Sequence, residues 1–402
     1  MTIVVKRILK SCLVDNMSTI AYLKVYRDQL LKLKTIFITV NSIEEAYTIF
    51  ETLNAKGKDL LTIDLIKNKV FKLLDTDHPD DDAKTKWGSI KKELGNKPKR
   101  VNPSTFLRHY WISKYEFVNE SKIYESFSRK IPENSSYYKL FLDGLVDGAK
   151  EYNKIANPSE NDWKTLEEKR TYFSLMALIT FNVVQPRPFI LALFDARKRK
   201  LITINHMSEV LSSIEKFHFL FSAVCSSRAS GLEGKYSTLA RKLRRTKSKT
   251  DAKIVLKELD SYFESKKPTL QVFVEGFKKL EFLNDKTADK KLIQYIFFNI
   301  EKEKYSTEEL IPYNLTIEHI YPQSKESVNK GEIGNLIPLA LEINEAVKIW
   351  NLDKKLPEFA KSELKTVKEF VDEYSEKEKW TDELTDLRTN IMAEHTYNVV
   401  WR

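Results

Sequence analysis

The chain has 402 residues, which at about 150 residues per domain makes two or three domains, each able to bury a core without disulfide staples. Its two cysteines, Cys12 and Cys225, exclude a disulfide framework and a Cys-rich zinc cage, and they fit a reducing, cytoplasmic compartment. Lys and Arg number 67 against 57 Asp and Glu, a net charge of +10 that favours a polyanionic partner; with 42% hydrophobic and 11% aromatic residues, disorder is excluded for most of the chain.

The first eighteen residues interrupt their apolar run with Lys6, Arg7, Lys10 and Asp15, so no signal-peptide core forms. Scarce glycine and apolar residues at three- and four-residue spacing predict a mainly α protein. Ser42 with Glu45 reads as a capping box, followed by Ala46, Ile49, Phe50 and Leu53 on one face and a stop at Asn54 and Gly57. Thr62 reads as the next N-cap, with Asp64 in the first turn and Leu65, Ile66, Val70, Phe71 and Leu74 as the apolar stripe. The carboxylates Asp75, Asp77, Asp80, Asp81 and Asp82 lack a glycine-turned calcium-loop spacing, so a solvated loop is preferred to a cation site.

Between Val101 and Ile131, Phe106, Tyr110, Trp111, Tyr115 and Phe117 fall at helical and near-helical spacing, which means core packing, with base stacking as the sharper alternative. The apolar tract from Tyr172 to Phe194 carries Asn182, Gln185, Pro186, Arg187 and Pro188 inside it, so two buried helices are expected rather than a membrane span. The strongest basic run is Arg241, Lys242, Arg244, Arg245, Lys247, Lys249 and Lys253, which reads either as a solvated helix face or as a phosphate-contacting one; a smaller run lies at Arg197 to Lys200.

Thr316 to Ser324 reads as a short strand ending in a polar turn at Pro322, Asn335 to Leu339 as a second strand, and a helix from near Leu341 places Asn344 in its first turns. Adjacent strand residues point to opposite faces, so Glu318 and His319 aim together only if the strand ends or bulges there. The Glu318 carboxylate and the Asn344 amide oxygen suit a hard divalent cation such as Mg²⁺ or Mn²⁺, which leaves His319 free as a base and Asn335 to brace the loop or hold His319. A structural hairpin is the bland reading of the same residues. Lys348, one turn beyond Asn344, reads as a phosphate contact or as a solvated helix lysine.

Glu318-His319-Ile320-Tyr321-Pro322-Gln323, then Gly334-Asn335-Leu336, then Asn344 nine positions after Asn335, resembles the HNH, or ββα-metal, nuclease motif. Glu318 stands where most such sequences carry Asp, and the zinc-knuckle cysteines of many HNH proteins are missing. A narrower resemblance rests on Ile49 to Leu60, continuing through Asp64-Leu65-Ile66-Lys67-Asn68, and on Trp380, Arg388 and Trp401. These look like GmrSD-type modification-dependent restriction enzymes over roughly Phe37 to Arg402. In that family a complete N-terminal domain carries an Asp-Gly-Gln-Gln-Arg motif, which this sequence lacks, so NTP hydrolysis is not carried over. Leu53 to Lys67 then reads as packing in preference to a nucleotide or DNA contact.

The resulting expectation is a mainly α chain in three parts: 1–100 as a remnant of the family's N-terminal domain, 101–291 as a helical middle, and 292–402 as a small ββα-metal domain. The resemblance implies a metal-dependent DNA endonuclease that restricts foreign or modified DNA, with His319 and Asn335 catalytic and Glu318 and Asn344 on the metal. Arg241, Lys242, Arg244, Arg245 and Lys348 are its expected nucleic-acid contacts. The alternative is a DNA-binding or regulatory subunit with an idle nuclease site that needs a separate NTPase partner.

Overall fold

The computed structural model describes residues 19–34, 39, 62–74, 82–97, 100–305, 315–324, 327, 329–347 and 349–401. The features expected at Ser42 to Leu60, at Asp75 to Asp81 and at Lys348 lie outside the described residues. The chain divides into two compact units, 1–59 and 60–402. In the first, the described element is a helix, α1, Thr19–Leu31.

The second unit is built almost wholly from helices: α2 Thr62–Leu74, α3 Asp82–Gly95, α4 Pro103–Lys114, α5 Ile123–Lys130, α6 Ser135–Ala156, α7 Leu166–Thr180, α8 Arg187–Lys198, α9 Ile204–His218, α10 Leu232–Arg245, α11 Lys249–Lys266, α12 Leu270–Phe277 and α13 Lys290–Glu303. Local chemistry sets many of their ends. Asn102 accepts from the backbone of Ser104 ahead of Pro103, and Thr165 with Glu168 closes a full capping box. Asn182, in the left-handed region at φ 58°, follows α7 and lets the chain reverse into α8, so the Tyr172 to Phe194 tract is indeed two packed helices. Among the described residues no helix is long and apolar enough to cross a membrane.

Thr62 is buried at the start of α2, and its hydroxyl donates to the Glu120 carbonyl at 3.1 Å instead of capping its own helix. Phe106, Tyr110 and Trp111 are buried, Tyr115 stacks on Trp111 at 4.3 Å between centroids, and Phe117 stays exposed. The aromatic spacing of this segment therefore reports packing. Each fully buried ring of this kind contributes about 1.5–3 kcal/mol relative to exposure.

The C-terminal part adds two short strands, β1 Thr316–His319 and β2 Leu336–Leu339, and then α14 Leu341–Val347, α15 Leu352–Phe359, α16 Lys365–Tyr374 and α17 Asp382–His395. The strands pair antiparallel, with Glu318 opposite Ile337 and His319 opposite Leu336. This ribbon lies between two cores. Ile317, Ile333 and Leu336 join the large helical core, whereas Leu315, Ile337 and Leu339 join a second core with Val347, Leu352, Phe359, Val367, Phe370 and Trp380. Strand alternation then assigns faces: Thr316, Glu318 and Ile337 look toward the second core, and Ile317, His319 and Leu336 toward the first.

Candidate functional site

On the face shared by Thr316 and Glu318, two side chains arrive from later helices. Asn344, on α14, donates its amide NH₂ to Thr316 Oγ1 at 2.8 Å and to the Ile317 carbonyl at 3.3 Å. Both donors are thereby spent on β1, and among the described residues no hydrogen bond reaches the amide oxygen. Lys355, on α15, is completely buried; its Nζ donates to Glu318 Oε1 and to the His319 carbonyl, each at 2.5 Å. Burial pushes the Glu318 carboxyl above its ordinary value, and the Lys355 ammonium opposes that shift.

His319 leaves the strand on the other side. Its Nε2 bonds the Phe282 carbonyl at 2.8 Å, its Nδ1 lies 3.1 Å from Gln323 Nε2, and its ring stacks against Phe282 at 5.6 Å. Burial lowers its pKa to about 4, so the imidazole is neutral at pH 7. β1 ends at His319, as the sequence requires for neighbouring groups to serve one site, but the two side chains still depart toward different cores.

Asn335 sits in a 3₁₀ turn, Ile333–Asn335, just before β2. Its Oδ1 accepts from the Tyr321 backbone at 2.7 Å, and its Nδ2 donates to the Tyr321 carbonyl at 3.0 Å and the Lys330 carbonyl at 2.7 Å. Asn335 thus braces the 321–330 loop. The turn is gripped in its own right by α17. Arg388 Nη1 donates to the carbonyls of Gly334 and Leu336, at 2.7 and 2.6 Å, and Thr389 Oγ1 accepts from Gly334 N at 3.1 Å. Arg388 lies over the Phe370 ring, and burial lowers its pKa to about 10.

The structure therefore brings Glu318 and Asn344 to one face of the ribbon, sets His319 on the other, and uses Asn335 between the loop and β2. Among the described residues, no three His, Cys, Asp or Glu side chains converge as a metal cluster, so a cation here depends on the carboxamide oxygen as well as the carboxylate. The basic run is dispersed by the turn of α10. Arg241 donates to Ser237 Oγ and to the Ile112 carbonyl, Lys242 pairs with Glu258 at 2.8 Å, and Arg244 is enclosed beside Asp195 at 3.3 Å. Arg245, Lys247, Lys249 and Lys253 are exposed.

The sequence reading missed Lys355 and the Phe282 carbonyl, and it assigned no role to Gln323. A lone lysine thirty-seven residues from its partner carries no local pattern, and a main-chain carbonyl carries none at all. Arg244 did leave a signal: it continues the Tyr236, Ala240 row of α10, which is buried.

A comparison with curated proteins finds no match. Residues 273–395, which contain the ribbon, the 282–284 turn and the helices behind them, match the family described as GmrSD restriction endonucleases, C-terminal domain. That stretch of the chain is accordingly similar to the C-terminal domain of GmrSD restriction endonucleases.

Proposed function

We propose that the chain is a metal-dependent DNA endonuclease of HNH type, hydrolysing phosphodiester bonds in the restriction of foreign or modified DNA. The observation that carries this reading is the orientation of Asn344: both of its amide hydrogens are held by β1, so its carboxamide oxygen, which no hydrogen bond reaches among the described residues, belongs to the ribbon face that also carries the Glu318 carboxylate. One carboxylate and one carboxamide oxygen fit a hard cation such as Mg²⁺ or Mn²⁺, with water and phosphate oxygens completing its shell. When bound, such an ion supplies Lewis acidity to the phosphate and to the departing 3′-oxygen.

The chain's own groups do the rest. His319, kept neutral by burial, accepts the proton of the attacking water. Asn335 ties the 321–330 loop to the ribbon, so the strand end carrying Glu318 and His319 has one geometry. Of the basic residues, Arg245 on α10, with Lys247 and Lys249 beyond it, is free to meet phosphates, and Lys348 remains a sequence-based candidate for the same work.

A second reading, a DNA-binding or regulatory subunit with an idle site and a separate NTPase partner, is favoured by one feature: an ammonium already sits on Glu318 Oε1. Plasmid nicking with Mg²⁺ or Mn²⁺ separates the two. The endonuclease reading expects cleavage that falls about 10²- to 10⁴-fold in His319→Ala with DNA affinity retained. Salt-sensitive binding with no cleavage under any divalent cation would overturn it in favour of the second.

A further inference from the structure

Lys355 is placed by the packing of its helix and not by its charge. Leu352, Leu356 and Phe359 turn one face of α15 into the second core, and Lys355 lies on that same face, fully enclosed. Its stem is therefore buried with them, and its ammonium reaches the end of β1. There it meets two acceptors, Glu318 Oε1 and the His319 carbonyl, each at 2.5 Å. The next amide, Ile320 N, closes the ribbon on the Asn335 carbonyl at 2.8 Å, so the main chain at His319 is fixed and holds the ammonium independently of Glu318.

Exposure separates the two partners. The Lys355 side chain is 0% exposed and that of Glu318 is 11% exposed, so a cation arriving from solvent meets the carboxylate, and the ammonium cannot leave unless α15 unpacks. One negative charge then serves both a resident monovalent cation and any incoming divalent one. Two cations on one carboxylate repel each other, and with little water between them that repulsion is weakly screened. Without a divalent ion, the same ammonium spares Glu318 the cost of a buried, unpaired charge.

We propose that Lys355 is the resident counter-ion of Glu318, which keeps this face ordered without a metal and weakens divalent-cation binding there by competing for the carboxylate. The tethered charge sets how much Mg²⁺ or Mn²⁺ the site needs before it loads. This rests on Glu318 being a metal ligand, as the endonuclease reading has it, and is independent of cleavage.

Mn²⁺ uptake by the full chain at neutral pH, read from the electron paramagnetic resonance of the free ion, is the test. Lys355→Met is expected to bind Mn²⁺ about 10- to 100-fold tighter than the wild type, and Lys355→Arg, which retains the charge, to stay within about threefold of it. Glu318→Gln lacks the carboxylate and should lose the uptake. Should Lys355→Met fail to fold, the wild type decides: the ¹⁵N-lysine ammonium resonance that vanishes in Lys355→Arg is expected to move as Mg²⁺ saturates the chain, and a resonance that stays still overturns the inference. A Lys355→Met chain that binds Mn²⁺ no tighter than a binding wild type also overturns it and leaves the metal-dependent reading standing. Uptake in neither chain beyond that of Glu318→Gln overturns both. Tighter binding in Lys355→Met, with no DNA cut by the wild type, keeps the counter-ion and overturns the nuclease reading.

Discussion

Replacing Lys355 with methionine keeps most of the side-chain volume and removes one charge of a buried pair. The Lys355 side chain is 0% exposed and that of Glu318 only 11%, so little water is available to screen what remains. The Glu318 carboxylate and the His319 carbonyl each lose a donor at 2.5 Å. Breaking such a pair from one side costs about 3–5 kcal/mol, because the surviving charge is left desolvated. Glu318→Gln breaks it from the other side and should cost a similar amount.

The double variant Lys355→Met/Glu318→Gln buries no ion and should be more stable than either single variant, with a coupling free energy of about 2–3 kcal/mol. Urea unfolding at pH 7, followed by the fluorescence of the six tryptophans, reads this cycle, and Trp380, in the core shared with α15, contributes to the signal. If the single costs add to within about 0.5 kcal/mol, the two groups are not bonded to each other and the description of this face is wrong.

Gly334→Ala places a Cβ against the Thr385 carbonyl oxygen and Thr389 Oγ1, so the Asn335 turn must part from α17; a loss of about 1–3 kcal/mol or more is expected in thermal unfolding. Gly88→Ala, on the exposed side of α3 with nothing near the new carbon, should instead stabilise by about 0.5–1 kcal/mol, and equal effects at both sites would contradict the packing described. His218 is buried between Ser222 Oγ and Tyr236 OH, and burial lowers its pKa to about 3. Above pH 6.5 neither state binds its proton; below that the unfolded chain protonates first, so stability is lost as pH falls toward 3, by up to about 2 kcal/mol between pH 6.5 and 5. His218→Gln should flatten that part of the unfolding-versus-pH curve, and an unchanged slope would assign the acid sensitivity elsewhere. Arg245→Ala should weaken DNA binding and reduce the salt slope by about one, whereas Arg244→Ala, which empties a buried place beside Asp195, should act on stability first; the reverse pattern in a salt titration would refute the division of the basic run.

The helices were legible in the sequence because their signals are local. Apolar residues three and four apart lie on one face whatever surrounds them, and Ile66 and Val70 of α2 are buried as that spacing requires. The ribbon was legible for the same reason, and β1, β2 and α14 fall within a residue of the expected Thr316, Asn335 and Leu341 starts. So was the likeness of residues 273–395 to the GmrSD C-terminal family, since that stretch contains the Glu318 to Asn344 spacing.

What tertiary structure alone decided is which groups meet. Composition counted Arg241 and Arg244 as surface charge, but the phase of α10 turns one onto the Ile112 carbonyl and the other inward beside Asp195. The motif names Glu318 and His319 as neighbours, and the two cores on either side of the ribbon draw them to different faces. Lys355, Arg388 and the Phe282 carbonyl come from distant segments, and a main-chain oxygen acts regardless of the side chain it belongs to. Periodicity encodes the face a residue presents, but only the packing of elements determines what that face meets.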